Sequence, residues 1–561
     1  MRLLDTTSLK FKEFFEDNIP SYAILSHTWG RPDEEVSFQD MGLDPQTLSD
    51  NRRYGYTKIV NTCRLARNHG LQYAWVDTCC IDKSSSAELA EAINSMFRWY
   101  EKAKICYVYL VDVTPQKELQ EGLKSCRWIT RGWTLQELIA PRECQLFDSK
   151  WKYRGRKTEL KEMFAVLTGV PASVLANEKL PREFSVAQKM SWAAKRTTTR
   201  SEDMAYCLLG LFGIHMPMIY GEGEMAFHRL QEEIIRRSND PTIFAWNPAD
   251  GGALDFMSIL APSPAAFEHS RSFEDLITFH GPEFALTNKG LKIANTRIAA
   301  TKEDKNKQSR KYLVVLDGGA TGNTEFAGIH LRKVDGNLFC RINKPIEIFS
   351  QPGSLQADEL TELYVADFCT FHITRSVVLE RRRSAVQIVV PNGAQIVHTT
   401  PQRLWDYEDY CFLAGLWGAD LVQWVEIEGH LRDQKVALII LCDRRADNGR
   451  GTPVLSIFEK RRFIGHWNYL AQYSRTHLGD PLTWSKIGED FPALLNHTES
   501  TSVPHKSVAL KVSVSVAKRM VSIREGVIDM YQARLIVDEE KGAEGRMDSH
   551  NDGPSYHLHA C

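Results

Sequence analysis

Four short runs of strand-forming residues occur within the first 150 positions: YAILSH (22–27), YAWVDT (73–78), CYVYLVDV (106–113) and the weaker ECQLFD (143–148). They are apolar almost throughout rather than alternately apolar and polar. A strand with one wet face alternates, whereas a parallel strand covered on both faces does not. Helical patterns lie between the runs. From Tyr56 to Asn68, Ile59, Val60, Cys63 and Ala66 share one face and Gly70 follows as a C-cap. From Ser86 to Lys102, Leu89, Ile93, Met96, Phe97 and Tyr100 form an apolar stripe, and Ser85 with Glu88 has the spacing of a capping box. Strand–helix–strand units of this length predict a parallel α/β sheet with right-handed crossovers.

Residues 157–238 read as helices that close this core. Ala226, Leu230 and Ile234 recur every four positions in GEMAFHRLQEEIIRR. After Trp246 the pattern changes to Gly-, Pro- and Ala-rich sequence, then to β-forming runs such as KYLVVLD, GNLFCRI, VQIVV, KVALIILCD and SVALKVSVSV. The expected organisation is an α/β domain over 1–247, a boundary over 248–278, a β-rich domain over 279–540 and a disordered tail over 541–561. The likeness of KYLVVLD to KVALIILCD suggests two copies of one β unit.

At 561 residues the chain is too long for one hydrophobic core. Its 69 basic and 71 acidic residues give a net charge of −2, which offers no global argument for nucleic-acid binding. The 12 cysteines have neither disulfide-framework nor Cys-x-x-Cys spacing, so reduced thiols and a cytoplasmic setting are expected. The N-terminus lacks the apolar core of a signal peptide and no run approaches 18 apolar residues, so no membrane span is expected.

In an open parallel sheet, ligands bind beyond the carboxyl ends of the strands. Ser26, His27, Thr28, Trp29 and Gly30 follow the first run, and Asp77, Thr78 and Asp82 follow the second. Asp112 ends the third. Each can equally cap a turn. Glu137, in RGWTLQELIAP (131–141), has the same two readings. Thr134-Leu-Gln-Glu137 matches a capping box, a structural role. A lone carboxylate in an apolar two-turn segment near the top of such a sheet also suits acid–base or charge-stabilising work. Phosphate-loop, dinucleotide-fingerprint, His-Glu-x-x-His and Gly-x-Ser-x-Gly signatures do not occur. His557, His559 and Cys561 have ligand chemistry but stand in a polar tail, and no metal site is expected. Trp405, Tyr407, Tyr410, Trp417 and Trp424 read either as core packing or as a binding face of the β-rich half.

The blocks YAILSHTWG, YAWVDTCCIDKSSSAELAEAINSMFRWY, CYVYLVDV, RGWTLQELIAP and SEDMAYCLLGLFGIHMPMIYGEGEMAFHRLQEEI resemble the fungal heterokaryon-incompatibility (HET) domain over about residues 20–245. HET domains resemble in turn the Toll/interleukin-receptor (TIR) domain, which implies a flavodoxin-like N-terminal sheet with added helices. Trp133-Thr-Leu-Gln-Glu137-Leu138 is similar to the TIR Trp-Cys-x-x-Glu-Leu motif, with Thr134 in place of the cysteine. The resemblance implies Glu137 as the catalytic residue of hydrolysis of NAD or a related nucleotide. It implies Ser26, His27, Thr28, Trp29, Gly30, Asp77, Asp82 and Trp133 as the substrate-binding surroundings, with no cofactor besides the substrate. It also implies self-association, a protein partner in non-self recognition and programmed cell death. The competing expectation is a non-enzymatic signalling module that oligomerises, with the β-rich half as sensor.

Overall fold

In the computed structural model the four apolar runs form the centre of a seven-stranded sheet. Its strands are β1 (Arg2–Asp5), β2 (Phe11–Glu13), β3 (Tyr22–His27), β4 (Tyr73–Trp75), β5 (Ile105–Tyr109), β6 (Cys144–Phe147) and β7 (Tyr153–Arg156), in spatial order β2-β1-β4-β3-β5-β6-β7. The structure describes residues 1–539 except 16–17, 44, 52, 250–255, 274–282, 295–297, 305–306, 317–325, 350–355, 359–361, 368–372, 414–420, 432–433, 446–451, 464–482, 484–498 and 506–507. The expected tail and Trp417 lie outside the described residues.

β3 pairs in parallel with β4 and with β5, and β5 with β6. All residues of β3, β4, β5 and β6 are buried, the physical reason for their uniform apolarity. The edges are antiparallel: β1 joins β4, β2 joins β1, and β7 joins β6. RLLD, FKE and YRGR are too short or too polar to announce themselves; FKE and YRGR form the two edges, and RLLD stands just inside one of them.

Helix α1 (Pro45–Asn51) precedes α2 (Arg53–Asn68), which ends as expected. Gly70 has a φ of 72°, and Leu71 N–H donates to the Ala66 carbonyl. The buried face of α2 differs from the expected one. Ile59, Cys63 and Ala66 are buried, but Val60 is exposed and Lys58 and Thr62 take the interior positions. Lys58 is stabilised there by Glu35, 2.5 Å from its ammonium. Gly55 lies on this face too, where a Cβ would come within 2.7 Å of the Glu34 carbonyl oxygen and the Val36 amide nitrogen. After β4 come α3 (Asp77–Cys80) and α4 (Ser86–Lys102). Ser85 caps α4 by accepting the Glu88 N–H, but the Glu88 carboxylate accepts from Arg2 and the Asp82 amide instead of closing a reciprocal box. Beyond β5 lie α5 (Leu119–Lys124), α6 (Arg127–Thr130) and α7 (Thr134–Ile139). The helix Met225–Arg237 buries Ala226, Leu230 and Ile234, the expected stripe.

The chain forms two compact units. The first comprises 1–301, 311–333 and 338–374, and the second 302–310, 334–337 and 375–561. The expected boundary segment 248–278 therefore lies inside the first unit. KYLVVLD and KVALIILCD fall in different sheets. In the second unit a six-stranded and a four-stranded sheet share one core. Val425 and Ile427 with Val436, Leu438 and Ile440 contribute alternate residues from the smaller sheet; Val386, Ile388, Val512 and Val514 contribute from the larger. Trp405 and Trp424 are buried, Trp405 edge-on to Tyr407, Tyr410 and Phe412, which is the packing role. Arg382 is buried between Asp406 and Asp409.

Within the first unit, Arg341, on the strand Leu338–Ile342, is buried with its guanidinium 3.7 Å from the centre of the Trp246 ring. It donates to the carbonyls of Phe244 and Trp246. Burial pulls its pKa down to about 9. This contact fastens the end of the helical region to a strand almost a hundred residues later. Arg341→Ala leaves two carbonyls without their donor and a void beside the indole. It should destabilise the first unit by about 2–4 kcal/mol. Arg341→Met, which keeps the apolar stem, should lose less. Urea unfolding of the full chain followed by tryptophan fluorescence reads this, and unchanged midpoints in both variants would reject the fastening role.

Candidate functional site at the top of the parallel sheet

The chain leaves β3 through Ser26 and His27, whose register partners on β5 are Val108 and Tyr109. The four parallel strands stand in the order second, first, third, fourth. The crevice between the first and third is where crossovers depart to opposite faces. Glu137 reaches this place from α7.

The Glu137 side chain does not cap its own helix. Trp133, not Thr134, is the N-cap residue of α7 and makes no side-chain cap bond. The Thr134 hydroxyl donates instead to the carbonyls of Trp128 and Arg131, and accepts from Arg196. The Glu137 carboxylate accepts from the Ser26 hydroxyl at 2.5 Å, and the Ser26 oxygen accepts from the Trp128 indole at 2.7 Å. The capping-box pattern in the sequence thus does not operate, because both of its side chains have tertiary partners. Glu137 is 6% exposed. Burial pushes its carboxyl up to about 8, and Asp77 adds to the rise. The Ser26 hydrogen bond, Arg131 and the neighbouring Tyr100 hydroxyl oppose it.

A second group stands beside it. His27 is buried, with Nε2 3.4 Å from Asp77 Oδ1. Burial, with the positive charges of Lys58, Lys83 and Arg131, holds the His27 pKa well below its ordinary value. The contact is therefore between a neutral imidazole and a carboxylate. Both His27 ring nitrogens and Asp77 Oδ1 lack hydrogen-bond partners. Asp77 Oδ2 accepts from the Trp29 indole at 2.7 Å, and the Lys83 ammonium lies 3.6 Å from the Trp29 ring centre. Thr28 is buried. Gly30 donates its amide to Glu35 at 2.6 Å, and a Cβ there would come within 3.0 Å of both Glu34 and the Tyr54 ring.

Ser26, His27, Trp29, Asp77 and Glu137 are thus brought together by direct bonds or by charge. Three other candidates point elsewhere. Asp82 accepts from Gln39 and from the backbone and hydroxyl of Ser84, an Asx-type turn before α4. Trp133 hydrogen-bonds Asp203. Asp112 accepts from the Arg127 amide and the Cys126 thiol and so caps α6. Trp128, Tyr100, Lys58, Lys83 and Arg196 belong to the surroundings without having been singled out. The one local sign of Lys58 is that it stands three residues after Gly55 on the same helical face, and the apolar reading of that face passed it over. The others required the tertiary fold. Ten cysteines among the described residues are buried free thiols.

These features define the class: an α/β module with a neutralised acid and a partly unsatisfied His–Asp–Trp group above a parallel sheet. Residues 22–121 match the family described as Heterokaryon incompatibility protein (HET), and residues 225–253 match a Domain of unknown function (DUF8212). The chain is 48% identical over 231 residues to the Vegetative incompatibility protein HET-E-1 of Podospora anserina, an alignment covering 40% of this chain and 17% of that protein. The chain therefore spans under a fifth of that relative's length. No solved structure matches it. Among the described residues no helix is long and apolar enough to cross a membrane.

The raised Glu137 pKa fixes a sign. The folded protein keeps this proton up to about pH 8, whereas the unfolded chain releases it near 4.5. Glu137 therefore favours folding below pH 4.5, and that contribution is lost progressively as pH rises to about 8. Glu137→Gln keeps an acceptor for Ser26 and removes the titration. Its melting temperature should fall less than the wild type's between pH 5 and 8. Parallel pH profiles of the two would exclude a buried neutral Glu137.

Proposed function

We propose that the chain is an effector of fungal non-self recognition and cell death that hydrolyses NAD or a related nucleotide in a TIR-like manner, with Glu137 as the catalytic residue. The observation that carries this reading is the placement of Glu137. It is a carboxyl group bonded to Ser26 at the carboxyl end of the first parallel strand, rather than one used to cap α7. The match to the incompatibility family supports the biological setting. The second-first-third-fourth strand order, shared by flavodoxin-like sheets, supports the TIR-like comparison.

The chemistry suits one carboxylate. Cleavage of the nicotinamide–ribose bond leaves both bonding electrons on the ring nitrogen, so nicotinamide departs neutral without a strong acid. The ribosyl group becomes oxocarbenium-like. Water then bonds to its anomeric carbon and gives up a proton. An ionised Glu137 offsets the developing charge and accepts that proton. Burial keeps Glu137 neutral at pH 7, and a cationic substrate favours its ionised form. Activity on this reading needs Glu137 to lose its proton, so kcat/KM should rise roughly tenfold per pH unit up to about pH 8.

The deciding experiment is NAD consumption by the purified full chain beside Glu137→Ala and Glu137→Gln, with thermal unfolding in parallel. Loss of turnover by roughly a hundredfold or more in both variants, with Glu137→Gln still folded, is expected. Full turnover in a folded Glu137→Gln removes the assignment. The near-complete burial of Glu137 favours a second reading, a non-enzymatic module that signals by self-association. It requires cell death to track assembly while NAD stays constant.

A further inference from the structure

We infer that the partly exposed face of Trp29 is a subsite for a cationic aromatic ring, and that Lys83 covers it as an internal substitute. Applied to NAD this rests on the function proposed above, but the subsite itself rests on three observations. The Trp29 indole is anchored through its N–H to Asp77 Oδ2, which fixes the ring plane. Its face holds the Lys83 ammonium at 3.6 Å from the ring centre, so the electron-rich surface already selects a cation. Beside it, buried His27 makes no hydrogen bond at either ring nitrogen, and its Nε2 meets the second Asp77 oxygen only as a 3.4 Å contact. A neutral imidazole and a carboxylate oxygen with unused bonding capacity are costly in an interior. They suit the amide and hydroxyl donors and acceptors that such a ring carries.

Lys83 is itself exposed and sits on the turn after α3, so it can leave the indole for solvent. A flat cationic ring would take its place, keep the cation–π contact and add stacking. A neutral ring of the same shape would forfeit the first of these. Oxidised nicotinamide nucleotides carry their charge on that ring, whereas the reduced forms do not. The subsite therefore selects the oxidised form. By its position Lys83 is a competitor for the substrate, not a participant in the chemistry.

The test uses the full chain and two small probes of matched shape, the N-methylnicotinamide cation and neutral nicotinamide. Binding is followed by titration calorimetry, which reads both probes in wild type and in every variant. The cation should bind about tenfold more tightly than nicotinamide. Lys83→Met should tighten the cation severalfold further, and Trp29→Leu should abolish the preference. Equal binding of the two probes overturns the proposal, as does a Lys83→Met variant that binds the cation no better than wild type. NAD turnover is measured on the same samples. Cation preference without turnover upholds the subsite and removes the hydrolase reading. Turnover without cation preference does the reverse.

Discussion

A serine on the innermost strand and a glutamate 111 residues later share one short hydrogen bond, and the upper half of the parallel sheet is arranged around it. The Ser26 hydroxyl can satisfy Glu137 only because the Trp128 indole supplies the bond that its oxygen accepts. Trp128 is held in turn because Thr134 binds its carbonyl, and Arg196 binds Thr134. Gly132 makes this packing possible. It donates to the Thr197 carbonyl, and any side chain there would run into Thr198. Three segments distant in sequence thus converge on one carboxyl group. A buried carboxyl is tolerated when it is neutral or well bonded, and this one is both.

The His27–Asp77–Trp29 group has the opposite character. Where Glu137 is well supplied with partners, His27 and one oxygen of Asp77 are not. Folded proteins rarely leave such atoms bare, and when they do the atoms tend to cluster where something else binds. Burial, and after it the positive charges of Lys58, Lys83 and Arg131, keep His27 from protonating, so it cannot relieve itself by forming a true ion pair with Asp77. The two halves of the site are electrically linked, since Asp77 also raises the Glu137 pKa.

The central strands were legible because burial on both faces leaves a signature that few other environments leave: YAILSH has no wet side to record. The helix Met225–Arg237 was legible through its stripe, and the C-cap of α2 through Gly70. The flanking strands β1, β2 and β7 were not, since three or four residues carry almost no pattern. The face of α2 was misread at Val60 because apolarity outvoted geometry. The true face includes Lys58, whose charge is balanced by Glu35 from a loop that no local rule connects to it. Thr134 and Glu137 show the same limit. Their spacing satisfies a capping rule, yet tertiary partners claim both side chains. Asp82 was grouped with the site by its place after a strand, and turned out to serve its own turn.

The stretch recognised as an incompatibility module ends at residue 121, while the first compact unit runs on to residue 374. Arg341 on Trp246 marks what lies between these limits. A cation with no neighbouring carboxylate among the described residues, held by an indole and two carbonyls, is a lock that accepts a single shape of key. Were the chain up to the end of the helical region moved by recombination onto a different downstream sequence, Trp246 would arrive without its guanidinium. The new sequence would have to cover that indole and those carbonyls by other means. Any exchange of sequence between Trp246 and the end of the first unit has to solve this joint again.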